Sequence, residues 1–371
     1  MNKKVCIVTA ARSEYGLLRW VIDAVHKDED LELQLVVTGG HLSSEQGLTY
    51  KHIEEDGYPI TDKIPILKFD NNEIGIAKSM GICAVSMAET FKRLQPDILV
   101  VLGDRYELLP IVSTALVMQI PVAHIAGGDV TEGAIDDEIR NAVTMMSTLH
   151  FPGVKAAADN ITRMRGTDKN IFEVGETGLE NFLRLELWDK DRVAKELTID
   201  PNKKWCLVTL HPETKLNVEE NIDMTRHLYE AMCLYPDIQF VITKANTDNG
   251  GKLINHYWEN VVSHHTNQMK LYASLGQIRY LSFMKYVNFV LGNSSSGIVE
   301  APFIGIPVVN IGDRQKGRHI CKTVVCCGRK KDDIISAIDQ CLSMSRTIDT
   351  YWGDGKTSER IVSQIKKYLN V

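Results

Sequence analysis

Short apolar runs alternate with amphipathic segments along most of the chain. The run KVCIVTA (4–10) is followed by a segment with helical spacing at 17–27 and by a second apolar run at 31–40. Short continuous apolar runs are typical of strands buried on both faces of a sheet, and their alternation with helices predicts parallel strands joined by right-handed crossovers. The first half is therefore predicted to be a β/α domain.

The same alternation continues to the end of the chain. Further strands are predicted at 97–104, 120–128, 171–175, 205–211, 238–245, 269–275, 288–291 and 323–327. Helices are predicted at 76–94, 107–118, 135–149, 154–165, 217–234, 252–262, 278–287, 331–345 and 357–369. A charge-rich segment interrupts the pattern, so we predict domains at 1–180 and 204–352 with a linker at 181–203. Two such domains would leave a cleft between the carboxyl ends of their strands, where open α/β sheets bind ligands.

Composition narrows the class of protein. The 371 residues suit two domains, and 44% hydrophobic with 24% charged residues is an ordinary globular composition. The net charge of −6 gives no reason to expect nucleic acid as a partner. The eight cysteines show no CxxC spacing and are expected to be free thiols. No signal peptide or apolar run of membrane-spanning length is apparent, so we expect a soluble cytoplasmic protein with no membrane partner.

Several motifs of known chemistry are missing from the sequence. The first strand is not followed by the GxGxxG pattern, which disfavours a nicotinamide or flavin cofactor. The histidines show no metal-ligand spacing, and no GxSxG motif marks a nucleophilic serine. We therefore expect neither a cofactor nor a metal.

In the first half, charged residues directly follow predicted strands. Arg12 follows the first strand, and Asp104 and Arg105 follow the strand at 97–104. An arginine fork suits phosphate, and an acid beside an arginine is either a structural ion pair or a catalytic acid kept ionised. The alternative for Arg12 is a solvated turn residue.

Acidic residues crowd the span HIAGGDVTEGAIDDEIR (124–140). Asp137 and Glu138 open a predicted helix, where the helix dipole alone explains negative charge. Asp129 and Asp136 have the better claim to function, because converging carboxylates can raise one pKa and supply an acid or base near neutral pH.

In the second half, polar residues also follow the strands. His211 follows the strand at 205–211 and could donate to phosphate or act as an acid, while Asn246 is a weaker candidate after VITKA. The stretch 292–318 is predicted to form a polar turn, a helix, a strand and a basic loop. A helix that opens on hydroxyl residues offers N–H groups to an anion, although an ordinary serine N-cap explains the same pattern.

Four residues of this stretch could hold a nucleotide diphosphate: two carry hydroxyl groups, one carries a carboxylate and one carries a guanidinium. They are Ser294, Ser295, Glu300 and Arg314. A carboxylate at the position of Glu300 could accept the hydroxyls of a ribose.

The order of these motifs resembles a known family. ARSEYG, PDILVVLGDRYE, HIAGGDVTEGAIDDEIR, LHPET and GNSSSGIVEAPFIGIPVVNIGDRQKGR look like the hydrolysing UDP-N-acetylglucosamine 2-epimerases, over roughly residues 4–345. The similarity is greatest to the bacterial sialic-acid-pathway branch, and a sister branch acts on a UDP-2,4-diacetamido sugar for legionaminic acid.

The resemblance implies a fold and a set of roles. The fold would be α/β of the GT-B type, two Rossmann-like domains with parallel sheets facing a central cleft, and a C-terminal helix (353–371) would return to the first domain. UDP would contact Arg12, His211, Asn246, Ser294, Ser295, Glu300 and Arg314, with Arg105 as a further substrate contact. Asp104, Asp129 and Asp136 would face the sugar. Dimers are common in similar enzymes, so a homodimer is expected.

The implied reaction is anti-elimination of UDP to give a 2-acetamidoglucal, followed by syn addition of water. Asp104 and Asp136 are expected as the acid/base pair, with Asp129 third and His211 assisting at the phosphate. UDP-N-acetylglucosamine is the first expected substrate and N-acetylmannosamine the product. The alternatives are the 2,4-diacetamido sugar, a GT-B glycosyltransferase and a non-catalytic UDP-sugar sensor.

One position departs from the family pattern. Relatives often carry Glu or His two residues after the histidine that corresponds to His124, whereas this chain has Ala126. One acid/base is therefore missing or replaced, with Asp129 as the candidate substitute.

Overall fold

The computed structural model describes residues 2–70, 72–130, 135–213, 215–245 and 250–371. The chain divides into two compact units. The first consists of Met1–Glu180 and Gly353–Val371, and the second consists of Asn181–Trp352. Residues 181–203, expected to be a linker, belong to the second unit.

The first unit is built on a six-stranded parallel sheet. Its strands are β1 (Lys3–Thr9), β2 (Leu31–Thr38), β3 (Ile60–Ile64), β4 (Ile98–Leu102), β5 (Val122–Ile125) and β6 (Leu149–Phe151). Their order in the sheet is β3-β2-β1-β4-β5-β6. Its helices up to residue 180 are α1 (Arg12–Lys27), α2 (Tyr50–Glu55), α3 (Glu73–Leu94), α4 (Leu108–Val117), α5 (Ile135–Met146) and α6 (Lys155–Arg165).

The continuous apolar run of β1 follows from burial on both faces. Val5 and Ile7 pack with α1 in one apolar cluster. Cys6 and Val8 point to the other face and pack with residues of α3 and α4. Because successive side chains of a strand alternate between faces, a strand covered on both sides needs apolar residues at every position.

The second unit repeats the same architecture. Its strands are β7 (Lys204–Thr209), β8 (Ile238–Thr243), β9 (Met269–Tyr272), β10 (Phe289–Gly292), β11 (Val308–Ile311) and β12 (Val324–Cys327). Its helices are α7 (Asn181–Arg184), α8 (Lys190–Glu196), α9 (Val218–Met232), α10 (Gly251–Ser263), α11 (Gly276–Tyr286), α12 (Ser295–Ile298), α13 (Glu300–Phe303) and α14 (Lys331–Ser343). All strand pairs are parallel, in the order β12-β11-β10-β7-β8-β9.

The two sheets have the same strand order. Read from the edge formed by the third strand of the unit, the orders are β3-β2-β1-β4-β5-β6 and β9-β8-β7-β10-β11-β12. In both, the order of strands reverses beside the first strand, between β1 and β4 and between β7 and β10. The loops that leave the carboxyl ends of these strands flank the switch point, where doubly wound sheets bind ligands. The predicted α/β class with two Rossmann-like domains is confirmed.

A final helix, α15 (Thr357–Leu369), completes the first unit. Ile361 and Ile365 join the apolar cluster of α1 and β1. Lys366 at its end forms ion pairs with Asp28 at 2.8 Å and Asp30 at 2.9 Å. The last helix therefore packs within the first unit although 172 residues of the second unit precede it.

Two predicted elements were wrong. The strand predicted at 171–175 is only an isolated bridge between Ile171 and His150, and the sixth strand is β6 instead. The single helix predicted around Glu300 is two four-residue helices, α12 and α13, with Val299 between them. The three-residue β6 is too short for an apolar run to reveal it. The break at Val299 lies between Gly297 and Pro302, and Pro302 has no N–H to donate to the carbonyl of Ile298 four residues before it.

Helix α3 is long and apolar enough, by length and composition, to cross a membrane, which the sequence analysis did not expect. In the structure Met87 and Phe91 bury one face of α3 against the core of the first unit. A core helix of a globular domain can have the same length and apolar composition as a membrane-spanning helix, and the packing of α3 agrees with a core helix.

Candidate functional site

The carboxyl end of β1 leads directly into α1. Arg12 is exposed in the first turn of that helix. The buried carboxylate of Glu14 folds back and accepts from the N–H groups of Ala10 at 2.6 Å and Ala11 at 3.1 Å. Glu14 thus occupies two N–H groups that precede α1, and Arg12 supplies an exposed guanidinium at this end of the helix.

Arg105, predicted to contact substrate, is held by two glutamates. It donates to Glu107 at 2.9 and 3.2 Å, and its Nε lies 4.0 Å from Glu14 Oε1. Burial raises the pKa of Glu14 to about 7, with the N–H groups of Ala10 and Ala11 and the charge of Arg105 opposing the shift. Arg105 therefore acts first as a counter-ion within the loop that carries Asp104.

Asp104 lies two residues beyond β4 and pairs with Arg140 of α5. The same guanidinium donates to the backbone carbonyl of Asp129 at 2.9 Å and to the carboxylate of Asp137 at 3.4 Å. Arg140 is buried, whereas the Asp104 side chain is 29% exposed. One buried arginine thus joins the β4 loop, the β5 loop and α5.

His124 of β5 lies beneath this network and is fully buried. Its ring bonds the carbonyl of Gly103 at 2.8 Å and the hydroxyl of Thr144 at 3.2 Å. Burial lowers the pKa of His124 to about 4, and the nearby charge of Arg140 acts in the same direction. His124 is therefore neutral at neutral pH and cannot serve as a general acid there. Its hydrogen bond to Gly103 holds the backbone just before Asp104.

The loop after β5 has little room. Ala126 has a left-handed backbone (φ 60°), which is uncommon for a residue with a Cβ. A Cβ at Gly127 would lie 2.9 Å from both His124 and Thr144, so glycine is required there. Asp129 follows as a half-buried residue, and Asp136 is exposed in the first turn of α5. Residues 131–134, which include Glu132, lie outside the described residues.

In the second unit, Asn293 links the two loops at the switch point. Its side chain accepts from the backbone N–H of His211 at 2.7 Å and donates to the carbonyl of His211 at 2.8 Å. Its own carbonyl accepts from Arg314 at 3.2 Å and from Gln315 at 2.9 Å. One buried asparagine therefore sets the positions of the predicted residues His211 and Arg314.

The hydroxyl residues after β10 differ in exposure. Ser294 is half-buried, Ser295 is exposed and Ser296 is buried. Gly292, with φ 137°, brings β10 so close to β7 that a Cβ would lie 2.1 Å from the carbonyl of Thr209. Ser294 and Ser295 are therefore accessible at the carboxyl edge of this sheet.

The HPE turn is held by a second set of contacts. The buried carboxylate of Glu213 binds both Nε and Nη2 of Arg329, at 3.2 and 2.6 Å, and accepts from the N–H of Asp313 at 3.0 Å. A Cβ at Gly312 would lie 1.9 Å from Glu213. Since Gly312 and Asp313 follow β11 and Arg329 follows β12, three loops at one edge are joined.

Glu300 opens α13, half-buried. Burial raises the pKa of its carboxyl, and the nearby charge of Arg318 opposes the shift. Asn246, the remaining predicted contact, lies outside the described residues. Among the residues that are described, no group of three or more His, Cys, Asp or Glu side chains could hold a metal ion.

Sequence reasoning missed several residues of these networks, among them Glu14, Arg140 and Asn293, and it missed Tyr280, whose phenol oxygen lies 2.5 Å from Ser296 Oγ. Asn293 directly follows a strand, which is the signal that selected Asp104 and His211. Arg140 lies three residues after Asp137 on the same helix face, a spacing that brings side chains together. Tyr280 carried no such signal, because its contact with Ser296 is formed by the fold alone.

The chain is similar to a family of known proteins. The sequence model of the family described as UDP-N-acetylglucosamine 2-epimerase matches residues 23–366. The GDP/UDP-N,N′-diacetylbacillosamine 2-epimerase (hydrolyzing) of Campylobacter jejuni is 39% identical over 339 residues, covering 91% of this chain and 86% of that protein. The UDP-N,N′-diacetylbacillosamine 2-epimerase (hydrolyzing) of Legionella pneumophila is 30% identical, covering 99% and 96%. The crystal structure of UDP-GlcNAc 2-epimerase from Neisseria meningitidis bound to UDP-GlcNAc matches with a TM-score of 0.84 at 19% identity, covering 98% of this chain and 100% of that chain, which shows a common fold.

Proposed function

The chain belongs to the UDP-N-acetylglucosamine 2-epimerase family and is an enzyme, and from that premise we propose that it hydrolyses a UDP-2-acetamido sugar with inversion at C2. The first step removes the C2 proton and breaks the bond between C1 and the diphosphate oxygen, which gives UDP and a 2-acetamidoglucal. In the second step water adds its oxygen to C1, and a proton is delivered to C2. The net reaction consumes one water and needs no redox partner.

The proposed substrate is UDP-N,N′-diacetylbacillosamine, a UDP-2,4-diacetamido-trideoxyhexose. The observation that carries this choice is the identity of 39% and 30%, over 91% and 99% of the chain, to two proteins named for that sugar. The order expected from the sequence, with UDP-N-acetylglucosamine first, is therefore reversed. UDP-N-acetylglucosamine remains the competing substrate.

Within the second unit, we assign the UDP group to the loops around Asn293. Ser294 and Ser295 are placed at the diphosphate, where hydroxyl donors and the guanidinium of Arg314 stabilise the charge that the leaving group gains. His211, in the loop after β7 on the other side of the switch point from Ser294, donates a hydrogen bond to the phosphate. Glu300 accepts the ribose hydroxyls.

Within the first unit, we assign proton transfer to the carboxylates around Arg140. Asp104 is the leading base, because its side chain is partly exposed and is held in place by its ion pair with Arg140. Asp129 and Asp136 are the candidates for the second acid/base. Arg12 adds a positive charge toward the diphosphate.

The experiment is a direct comparison of two substrates. The protein is incubated with UDP-N,N′-diacetylbacillosamine or with UDP-N-acetylglucosamine, and released UDP and sugar are identified by proton NMR. We expect the 2-epimer of the diacetamido sugar to form at a kcat/KM at least about tenfold above that for the second substrate. Higher kcat/KM for UDP-N-acetylglucosamine would overturn the substrate assignment, and absence of UDP release from both would overturn the function.

We further propose a cytoplasmic homodimer formed through the outer faces of α3 and α4. These neighbouring helices expose large apolar side chains that a second copy would cover: Ile74 (68% exposed), Val85 (70%), Leu116 (51%) and Val117 (82%). Sedimentation velocity should give twice the 41.7 kDa chain mass, and Val85→Glu with Val117→Glu should give the monomer. A monomeric wild type at micromolar concentration would contradict the dimer.

A further inference from the structure

A chain of hydroxyl groups runs beneath the proposed diphosphate loop of the second unit. The phenol oxygen of Tyr280, on α11, lies 2.5 Å from Ser296 Oγ, and Ser296 Oγ lies 3.1 Å from Ser294 Oγ. Thr209, at the end of β7, lies near the phenol of Tyr280, and its hydroxyl lies 2.9 Å from the hydroxyl of Thr243 on β8. These hydroxyls therefore lie on two strands of the sheet, on α11 and in the segment that follows β10.

The direction of these hydrogen bonds follows from counting protons and lone pairs. A serine hydroxyl has one proton to donate and two lone pairs to accept with. Ser294 Oγ accepts from the N–H of Ser296 at 3.4 Å and from the hydroxyl of Ser296 at 3.1 Å. With both lone pairs engaged, Ser294 can act only as a donor toward a further group.

A hydroxyl has one proton, so Ser296 cannot donate to both Ser294 and Tyr280. When Ser296 donates to Ser294, its 2.5 Å contact with the phenol is a hydrogen bond only if Tyr280 donates to Ser296. Burial raises the pKa of the phenol, with the surrounding hydroxyls opposing the shift, so Tyr280 keeps its proton at neutral pH. Hydrogen bonds aligned in this way polarise one another, and an anion beside Ser294 favours this direction over the reverse.

We propose that Tyr280 is a positioning residue that orients the Ser294 hydroxyl toward the diphosphate of the substrate, acting through Ser296. This inference rests on the proposed function of the second unit and goes beyond it. In this arrangement Ser294 contacts the ligand, and Ser296 and Tyr280 support Ser294 without contacting the ligand themselves. It also gives Ser294 and Ser295 different roles, because no such chain supports the exposed Ser295 among the described residues.

The test is UDP and uridine binding by isothermal titration calorimetry to the full chain. Tyr280→Phe removes one hydroxyl and keeps the ring, and it should weaken UDP binding about tenfold while leaving uridine affinity unchanged. Ser296→Ala should have the same effect. In the Ser294→Ala background, Tyr280→Phe should cause no further loss, since its effect passes through Ser294.

A matched control is Tyr272→Phe, which removes a phenol hydroxyl that donates to the carbonyl of Leu197 at 2.8 Å elsewhere in the same unit. It should leave UDP affinity unchanged. UDP binding by Tyr280→Phe equal to that of wild type would overturn the positioning role, as would equal losses for UDP and uridine. Failure of the wild type to bind UDP at all would instead remove the proposed nucleotide site, and the positioning role with it.

Discussion

The two units have the same strand order but place different chemistry at their switch points. In the first unit, the segments after β1 and β4 carry Glu14, Asp104 and Arg105, and these charged side chains pair with one another or with the buried Arg140. In the second unit, the neutral amide of Asn293 joins the corresponding loops after β7 and β10, hydroxyls bond one another beside it, and the ion pair of Glu213 with Arg329 holds the residues that follow His211. Asp104 and Ser294 each lie two residues beyond the equivalent strand.

This difference supports the proposed division of work between two copies of one architecture. In the first unit, the ion pair with Arg140 holds the carboxylate of Asp104 in place just beyond β4, where the base is proposed. Neutral amides and hydroxyls bind an anion without adding a competing negative charge, which suits a leaving diphosphate. The same backbone position can therefore serve proton transfer in one unit and ligand binding in the other.

The largest expected effect separates the two units by activity. Asp104→Asn should lower kcat about a thousandfold, because an amide cannot take the C2 proton, while UDP affinity changes less than about twofold. Steady-state kinetics and calorimetry measure the two quantities. Asp159→Asn, at an exposed carboxylate paired with Lys155 in the same unit, should leave both unchanged. Full turnover by Asp104→Asn would remove the proton-transfer role from the first unit.

Asn293→Ala should produce the converse result. It removes both hydrogen bonds to His211, so UDP binding should weaken about tenfold to a hundredfold with a loss of roughly 2 kcal/mol in unfolding free energy. Asn288→Ala is the matched control, because Asn288 accepts from Trp205 N–H at the opposite end of β10. It should lower stability similarly and leave UDP affinity unchanged. Equal binding losses in both variants would mean that Asn293 acts only through stability.

The buried charge of the first unit should appear as a pH dependence of stability. The folded-state pKa of Glu14, about 7, lies above the ordinary value of 4.5, so its contribution to stability is fully present below pH 4.5 and is lost as pH rises through 7. The wild type should therefore lose about 1–3 kcal/mol relative to Glu14→Gln between pH 5 and 8. Burial of Glu14 is the main cause of this loss, the charge of Glu107 adds to it, and the charge of Arg105 reduces it.

Urea unfolding at several pH values measures this effect. The exposed Glu45→Gln serves as the control and should keep the slope of the wild type. A Glu14→Gln variant with the wild-type slope would show that Glu14 is ionised at no cost in the folded protein.

The smallest expected effect concerns the ribose. Glu300→Gln should weaken UDP binding about fivefold to tenfold, because an amide accepts the ribose hydroxyls less strongly than a carboxylate. Binding of 2′-deoxy-UDP, which lacks one of those hydroxyls, should weaken less. Equal losses for the two nucleotides in competition titrations would place Glu300 away from the 2′-hydroxyl.

The fold and the loops of the site could be predicted from the sequence because both depend on local patterns. Apolar runs such as KVCIV mark buried strands, and Asp104, His211 and Ser294 follow strand ends directly. The networks could not be predicted in this way. Asp104 meets Arg140 across 36 residues and His211 meets Asn293 across 82, and such pairs are set by the order of strands in the sheet.

The central claim is that the first unit moves a proton at C2 while UDP leaves from C1. The most direct test is turnover of UDP-N,N′-diacetylbacillosamine in deuterium oxide, with the products analysed by proton NMR and mass spectrometry. The account predicts equimolar UDP and a free 2-epimerised sugar that carries one deuterium at C2. A free sugar with unchanged configuration and hydrogen at C2 would show simple hydrolysis and would contradict the account.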